Sequence, residues 1–351
     1  MARNVAIVGS GLAALAAYTT LRHRGVAAEE IAVFGTHDDP LEVWRGRAAA
    51  IRQTRMRSES EGHLGAAAWP GLALRERDPR AWAGTVTNRY HPPVELFLRH
   101  AARVVERSGW ERSFRRHRVE RITPGFELDG EGPFQHVLLA TGHPGLARPV
   151  EGAVHAYEPH EYASKVTIVG AGMAAAHEWL NALAAGSEVV SVRRREPTRR
   201  PLNVPRPLLT RRGLDAYHRS SAEEHAAALR TLSQPSYPPG RAWDEPLRIA
   251  EREGRFRVAS ELNGGQVICA TGFLEGYAHD PLLAQLVADF DLPTHDRWIV
   301  LAPDSTVAEL TNGTTLSIAG IAGQWAFPAA DTIAGAKYAA RAFTRRVCRT
   351  R

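Results

Sequence analysis

The sequence predicts an α/β fold of two parallel-sheet units, with the second unit inserted into the first. Two observations carry this prediction: a short apolar run followed by G-x-G-x-x-A occurs twice, and an apolar run ending in Ala-Thr-Gly also occurs twice. A third is the C-terminal segment, whose apolar run and helix are expected to return to the first unit. At 351 residues the chain is long enough for two units with separate cores.

The first G-x-G-x-x-A lies between a strand at Val5–Val8 and a predicted helix over residues 11–24. Gly9 permits the tight strand-to-helix turn, Gly11 lets the backbone approach a pyrophosphate, and Ala14 lets helix and strand pack closely. The pyrophosphate then meets the free N–H groups at the positive end of the helix. An ordinary buried strand–turn–helix is the alternative, but the strand–helix–strand context favours a Rossmann-like dinucleotide-binding unit.

The second copy follows a predicted strand at residues 166–169 and places Gly170, Gly172 and Ala175 in the same three roles. One such pattern arises readily by chance, whereas two in the same local context indicate that one chain binds two dinucleotides. Two nucleotide cofactors in one chain point to redox chemistry.

The first unit lacks an acidic residue at the end of its second strand, where one normally binds the ribose hydroxyls. That place reads Phe34-Gly35-Thr36, and the nearest acids are Asp38 and Asp39. Either one of these two carboxylates reaches back to the ribose, or the ribose is held differently.

The second unit has three arginines at the same place, residues 193–195, directly after a predicted strand at 188–192. A guanidinium binds a 2′-phosphate through paired hydrogen bonds, whereas a carboxylate there would repel it. The second site is therefore predicted to prefer NADPH over NADH, through Arg193 or Arg194. The alternative is that this charge run is a solvated loop.

The remaining elements follow from periodicity and from turn residues. Residues 41–93 show little periodicity and are predicted to be an irregular insertion, followed by a helix over 94–108. The proline- and arginine-rich segment 197–239 surrounds one helical stretch at 222–232, and both irregular segments are expected to shape a ligand pocket. The predicted units are residues 1–150 and 275–351 for the first domain and 151–274 for the second.

Composition restricts the class of protein. Hydrophobic residues make up 44% and charged residues 23%, and no uncharged apolar run reaches the roughly 18 residues of a spanning helix, so we expect a cytoplasmic protein without a membrane span. The net charge of +6 is carried almost wholly by arginine, without a nucleic-acid-binding motif. Two cysteines, Cys269 and Cys348, exclude a C-x-x-C pair, and no metal-binding pattern occurs.

In this order of motifs the chain resembles the flavoproteins with two dinucleotide-binding domains. Within them it looks most like the flavin-containing, N-hydroxylating and Baeyer–Villiger-type (class B) monooxygenases. Trp44 stands where that branch has Gly-Gly-x-Trp, residues 56–58 resemble its Met-Arg-Ser segment, and residues 150–155 resemble a shortened F-x-G-x-x-x-H linker. The resemblance covers nearly the whole chain.

The resemblance implies FAD at the first signature and NADPH at the second. The residues implied for FAD are Gly9, Gly11, Ala14, Trp44, Thr141, Gly142 and Asp331. Those implied for NADPH are Gly170, Gly172, Ala175, Arg193, Arg194, Thr271 and Gly272.

The resemblance also implies a reaction. NADPH reduces FAD, reduced FAD and dioxygen form a C4a-(hydro)peroxide, and that species oxygenates a small molecule at nitrogen, sulfur or a carbonyl group. The protein has to exclude water and hold NADP⁺ against the flavin. The candidate pocket residues are Trp44, Arg57, Ser58, Gln324 and Trp325.

A predicted helix begins near Asp331, and its free N–H groups would suit the anionic edge of a reduced flavin. Capping of this helix by Asp331 or Thr332 explains the same residues without a ligand. The two interpretations are compatible.

Two other functions stay open. An NADPH:acceptor reductase of the same fold would pass electrons to a quinone or a protein, although the absence of C-x-x-C disfavours dithiol reductases. A flavin- and NADPH-binding module without turnover would act as a redox sensor, and the missing ribose acid favours it. The oligomeric state is open as well, with a homodimer as the commonest outcome.

Overall fold

The computed structural model of the protein describes residues 4–57, 91–202, 204–262, 264–307 and 314–350. Its strands are, in chain order, β1 Val5–Val8, β2 Ile31–Gly35, β3 Phe114–Arg116, β4 His136–Leu139, β5 Val154–His155, β6 Lys165–Val169, β7 Glu188–Val192, β8 Thr198–Arg199, β9 Ser236–Tyr237, β10 Phe256–Ala259, β11 Gln266–Cys269, β12 Thr294–His295, β13 Trp298–Ile299 and β14 Thr315–Ile318.

The α-helices of the described part are α1 Leu12–His23, α2 Glu42–Ala50, α3 Val94–Ser108, α4 Trp110–Ser113, α5 Met173–Ala184, α6 Arg211–Arg219, α7 Ala222–Leu232, α8 Arg241–Arg252, α9 Pro281–Asp289 and α10 Ile333–Arg349. Helices α3 and α7 occupy the residues that periodicity assigned to them.

The first sheet contains five parallel strands in the order β14-β4-β1-β2-β3. Strand β14 comes from the end of the chain and pairs with β4, placing Leu316 opposite Val137. The C-terminal segment therefore completes the sheet that the N-terminal strand begins.

The second sheet has the parallel order β10-β7-β6-β11-β5, and all of its strands lie between β4 and β14 in the sequence. Its β6–α5–β7 unit repeats β1–α1–β2 of the first sheet: Val169 lies opposite Val192, as Val8 lies opposite Phe34. The predicted fold class, two Rossmann-like units with one inserted into the other, is confirmed.

Helix α1 is rich in alanine because it packs closely between the sheet and α10. Ala14 and Ala17 are fully buried and share one hydrophobic cluster with Ala340 and Phe343 of α10. Methyl side chains let the helix axes approach, and a larger side chain here would overpack the core. This close packing holds the N-terminus of α1 at the end of β1.

Helices α6 and α7 form a hairpin that packs on the first unit. Tyr217 of α6 and Leu229 of α7 are buried in the same hydrophobic cluster as Val8 and Phe34 of the first sheet. The predicted division placed these residues in the second unit, since they lie between β7 and β11 in the sequence. The hairpin thus belongs to one unit by chain order and to the other by its contacts.

Helix α2 shows that the prediction of an irregular insertion is wrong at its start, over residues 42–50. Its apolar inward residues are few, chiefly Trp44 and Ala48 one turn apart, so the segment shows no extended period. Residues 58–90 of the same predicted insertion, including Ser58, lie outside the described residues.

No helix among the described residues is long and apolar enough to cross a membrane. The same residues contain no group of three or more His, Cys, Asp or Glu side chains placed to hold a metal ion. Cys269 is buried in β11, Cys348 is exposed on α10, and both thiols are free.

Four buried or half-buried histidines are expected to weaken the fold at acid pH. Burial lowers the pKa of His136, His177 and His225 to about 4 and that of His143 to about 3. In the unfolded chain each histidine has the ordinary pKa of about 6.5, so it binds a proton at a pH at which the same side chain in the folded protein stays neutral. Stability present above pH 6.5 is therefore lost as the pH falls towards 4, by about 2 kcal/mol per histidine between pH 7 and pH 5 in urea denaturation.

His136 provides the matched control for this pH dependence. Its ring packs edge-on against Phe343 with the centroids 6.5 Å apart, so His136→Leu keeps an apolar contact and removes one titrating group. The variant should lose about a quarter of the pH dependence. A slope equal to that of the wild type would contradict the assignment.

Candidate functional site

The first nucleotide turn is shaped by contact between Gly9 and the end of β4. Gly9 has φ +114°, and a Cβ built on it would stand 2.1 Å from the carbonyl oxygen of Ala140. The Gly9 N–H donates to the carbonyl of Phe34 at 2.7 Å, which fixes the turn against β2. Only glycine fits this position, since both the backbone conformation and the neighbouring carbonyl exclude a side chain.

The second turn repeats this geometry. Gly170 has φ +131°, its Cβ would stand 2.4 Å from the carbonyl oxygen of Ala270, and its N–H donates to Val192 at 2.9 Å. The alanine of each Ala-Thr-Gly is therefore the residue that touches the first glycine of each signature. This contact explains why the two motifs occur together in the sequence.

Both turns leave the N-terminus of the following helix open. Helix α1 begins after Gly11 and α5 after Gly172, with no acidic residue in either first turn and no side-chain cap from the described residues. A Cβ on Gly11 or Gly172 would meet no atom within 4 Å. Free N–H groups, a positive helix end and open space in front of them fit the pyrophosphate of a dinucleotide at each turn.

The end of β2 has no room for a carboxylate. A Cβ on Gly35 would stand 2.3 Å from the Ser10 side chain, whose hydroxyl accepts from the His37 N–H at 3.3 Å. The two nearby acids are engaged elsewhere: Asp38 pairs with an arginine of β3, and Asp39 pairs with one of α2 at 2.8 Å. The side chain of Ser10, inside the first signature, therefore leaves no space for an acidic side chain at the Gly35 position.

The arginines after β7 occupy two different environments. Arg193 is 14% exposed, pairs with Glu196 at 2.9 Å and lies over the Trp179 ring at 5.8 Å. All three arginines line the large cavity described below, and Arg194 and Arg195 are exposed. Within the described residues neither pairs with a carboxylate, so both guanidinium groups are available to a phosphate.

The chain segments after the two Ala-Thr-Gly turns are joined to each other. The Ala147 N–H donates to the Gly272 carbonyl at 3.0 Å, and the Thr271 hydroxyl donates back to the Ala147 carbonyl. The ring of His155 lies with Nε2 3.0 Å from the same Gly272 carbonyl. The linker between the units is therefore bonded to the end of β11.

A stack of rings covers this junction. His143 and Phe273 each directly follow an Ala-Thr-Gly, and their rings stack at 3.7 Å with an interplanar angle of 17°. Tyr157 stacks on Phe273 at 5.2 Å, and the Arg47 guanidinium lies over the same ring at 4.5 Å. Sequence reasoning missed this stack, although the equal positions of His143 and Phe273 after the two turns were a usable signal.

A cavity of about 1470 Å³ connects the two units. Gly142 lines it from the first unit, and Gly170, Gly172, Thr271 and Gly272 line it from the second. Its volume exceeds what a single drug-sized ligand needs. Of the described turn residues, Gly9 and Gly11 are not part of its lining, so the cavity adjoins the second nucleotide turn and the Gly142 and Asp331 side of the first unit.

Arg57 ties one wall of the cavity together. Its guanidinium donates to the carbonyls of Arg200 at 3.0 Å, Pro201 at 3.4 Å and Ser236 at 3.3 Å, and to the Ser236 hydroxyl at 3.2 Å. Burial lowers the pKa of Arg57 to about 10, so the group stays charged at neutral pH. These carbonyls belong to the two chain segments that connect the α6–α7 hairpin to the second sheet.

Asp331 lines the cavity and is exposed there. Desolvation by the surrounding protein raises the pKa of its carboxyl group, and the charge of Arg57 acts in the opposite direction. Helix α10 is capped by Thr332, whose hydroxyl accepts from the Gly335 N–H at 3.2 Å. Of the two capping residues considered from the sequence, Thr332 caps the helix, whereas Asp331 lines the cavity.

The other candidate pocket residues separate into two groups. Gln324 and Arg57 line the cavity. Trp325 is buried and stacks on His225, whereas Trp44 packs against Phe97 with the ring centroids 5.0 Å apart. Neither tryptophan lines the cavity. Both tryptophans pack in hydrophobic clusters of the first unit.

Solved structures share this architecture over the whole chain. The ornithine hydroxylase of Pseudomonas aeruginosa has a TM-score of 0.70 at 16% identity, covering 99% of this chain and 100% of that one. The ornithine N-hydroxylase of Kutzneria sp. 744, in complex with reduced FAD, NADP⁺ and L-ornithine, has a TM-score of 0.72 at 15% identity, with 100% of each chain covered. The chain has their fold.

A reductase shares the fold as well. The bacillithiol disulfide reductase of Bacillus cereus has a TM-score of 0.61 at 13% identity, with 100% of each chain covered. The fold therefore admits both oxygenases and reductases. No family model and no curated protein matches the sequence.

Proposed function

We propose that the protein is an FAD-dependent, NADPH-consuming monooxygenase that oxygenates a small molecule at nitrogen, sulfur or a carbonyl group. The observation that carries the proposal is the pair of matching nucleotide turns whose helix N-termini are both open, with one cavity running between the two units. The described oxygenase neighbours, one of them in complex with reduced FAD and NADP⁺, support it.

In this proposal the first unit holds FAD. The amides after Gly11 receive its pyrophosphate, and Thr141 and Gly142 bring the end of β4 beside it. The chemistry supplied by bound FAD is hydride acceptance from NADPH followed by activation of dioxygen. The second unit holds NADPH through the amides after Gly172.

The side chains of the cavity orient these groups and restrict water. Arg57 keeps the two segments around residues 200 and 236 in place through four hydrogen bonds. Asp331 presents its carboxyl group to the same cavity, where desolvation raises its pKa. The stacked rings of His143, Phe273 and Tyr157 cover the junction with apolar surface, which limits access of water to a reactive intermediate.

An NADPH:acceptor reductase is the second candidate, and the likeness to a disulfide reductase favours it. A dithiol mechanism needs two adjacent thiols, whereas Cys269 lies within the second sheet and Cys348 on the C-terminal helix. A reductase of this chain would therefore pass electrons from flavin to an external acceptor.

The visible spectrum of the purified protein, loaded with FAD under anaerobic conditions, tests the proposal. We expect one equivalent of NADPH to bleach the flavin quickly and NADH to bleach it slowly. Readmitted oxygen should then produce a transient near-ultraviolet band in a monooxygenase, whereas immediate return of oxidised flavin would indicate the reductase. A protein that takes up no FAD would overturn both.

A further inference from the structure

The α6–α7 hairpin makes three hydrogen bonds to three consecutive main-chain carbonyls of the first unit. The Tyr217 hydroxyl donates to Gln324 at 3.2 Å, Nε2 of His225 lies 2.8 Å from the Trp325 oxygen, and Nε2 of His218 lies 2.7 Å from the Ala326 oxygen. A carbonyl only accepts, so each imidazole carries its N–H on Nε2. We call these three side chains the ring clamp.

Stacking strengthens the ring clamp. The rings of His225 and Trp325 are parallel, with an interplanar angle of 2° and centroids 4.4 Å apart, and the Tyr217 ring lies 3.6 Å from His225. Burial lowers the pKa of His225 to about 4, so the ring is neutral at pH 7. A neutral ring with one defined tautomer makes one defined hydrogen bond.

The clamped segment is also bonded through its own amides. Gln324 donates to Ile321 at 3.2 Å, while Ala326 and Phe327 donate to Gly323 at 3.1 and 3.2 Å. The ring clamp supplies partners for three carbonyls of the same segment, so both its donors and its acceptors contribute to holding the turn. The side chain that this segment presents to the cavity is that of Gln324.

The same hairpin reaches the cavity at its other end. Leu232 and the following residues up to Ser236 line it, and the Arg57 guanidinium bonds to Ser236. The hairpin thus connects the cavity wall around residue 234 to the segment that carries Gln324. Chain order would assign that wall to the second unit.

We propose that Tyr217, His218 and His225 are positioning residues that hold the Gln324–Ala326 main chain, and with it the Gln324 side chain, in place for oxygen transfer. The inference rests on the proposed function, because the cavity that Gln324 faces is assigned there to the flavin and the substrate. The residues act through Gln324 and touch neither cofactor nor substrate themselves.

Amide hydrogen exchange in the cofactor-free protein tests the clamp directly. Removing a donor should raise the exchange rate of the Gln324, Ala326 and Phe327 amides at least about tenfold, since each lost bond frees the turn to open. We expect this in Tyr217→Phe and, more strongly, in His225→Leu. His225→Gln, whose side-chain amide still donates, should restore most of the protection.

His295 is the matched control. Its ring also lies against Trp325, at 5.7 Å, but its Nε2 bonds to Glu223 rather than to the clamped main chain. His295→Leu should leave exchange at Gln324 to Phe327 within about twofold of the wild type. Tyr217→Phe removes a single hydroxyl, so it keeps the test informative even if His225→Leu does not fold.

The loaded enzyme supplies the functional readout. In Tyr217→Phe and His225→Leu, NADPH should bleach the bound flavin at a rate within about twofold of the wild type, because the second nucleotide turn is unchanged. The near-ultraviolet transient that follows readmission of oxygen should decay several times faster and release hydrogen peroxide. Unchanged exchange and an unchanged transient in both variants would overturn the proposal. Faster amide exchange with an unchanged near-ultraviolet transient would overturn the positioning role. A wild-type protein that binds no FAD would overturn the proposed function, but amide exchange would still test whether the three side chains hold the main chain.

Discussion

Gly11→Ala is expected to abolish useful FAD binding and to leave the cofactor-free protein folded. Gly11 has φ −91°, which alanine adopts without strain, and its added Cβ meets no atom within 4 Å. The methyl group instead occupies the space through which a pyrophosphate would approach the α1 amides. We expect FAD affinity to fall at least about 100-fold, roughly 3 kcal/mol, in a flavin titration.

Gly172→Ala is the mirror experiment at the second turn. Its φ of −86° and empty surroundings match those of Gly11. This variant should retain its flavin and its visible spectrum, but NADPH should bleach it at least about 100-fold less efficiently, a loss of roughly 3 kcal/mol. The two variants together separate the two nucleotide sites on one chain.

Gly9→Ala is the contrasting control for both variants. Here the added Cβ would overlap the Ala140 carbonyl at 2.1 Å, and φ is +114°. We expect this variant to be poorly folded, because the ends of β1 and β4 have to separate. Normal FAD affinity in Gly11→Ala would show that the first turn is structural only, and would remove the main support for a flavoprotein.

Arg194→Gln should reverse much of the preference for NADPH. Arg194 is exposed at the cavity and unpaired with any carboxylate among the described residues, so its guanidinium is free to bind a 2′-phosphate. Loss of that contact should lower kcat/KM for NADPH about 30- to 100-fold, roughly 2–3 kcal/mol, and change NADH little. The measurement is flavin bleaching with each nucleotide.

Arg193→Gln distinguishes the two candidate arginines. Arg193 is engaged with Glu196 and with the Trp179 ring, so we expect its replacement to reduce stability more than nucleotide preference. Arg195→Gln, at the same exposed edge, should have an effect between the two. A NADPH preference that survives the Arg194→Gln/Arg195→Gln double variant would mean that the arginine run is a solvated loop.

The sequence was sufficient for the parts of this molecule that depend on local pattern. The two nucleotide turns, the strands before them and the helices α3 and α7 follow from glycine positions and apolar spacing. Helix α2 was missed because only one face, of two apolar residues, packs inward. Helical periodicity is recognised from apolar residues that recur over several turns, and the nine residues of α2 are too few to show it.

The site beyond the turns depends on contacts between distant parts of the chain. The ring clamp joins residues about a hundred positions apart, and nothing in the local sequence around His225 or Trp325 indicates the pairing. The missing ribose acid was visible in the sequence, but its cause, Ser10 against Gly35, appears only when β1 and β2 lie side by side. Chain order also misled the assignment of the hairpin, since packing rather than numbering decides which unit an element joins.

The contact between Ser10 and Gly35 has a counterpart of different chemistry at the equivalent place in the second unit. Val8 opposite Phe34 and Val169 opposite Val192 put Gly35 and Arg193 at equivalent places, with Ser10 and Ala171 inside the two signatures. In the first unit Ser10 stands with Gly35, and in the second unit Ala171 stands with Arg193. Nucleotide identity would then be encoded by a pair of sites that have to change together, because a long side chain introduced opposite the serine alone has no space to occupy.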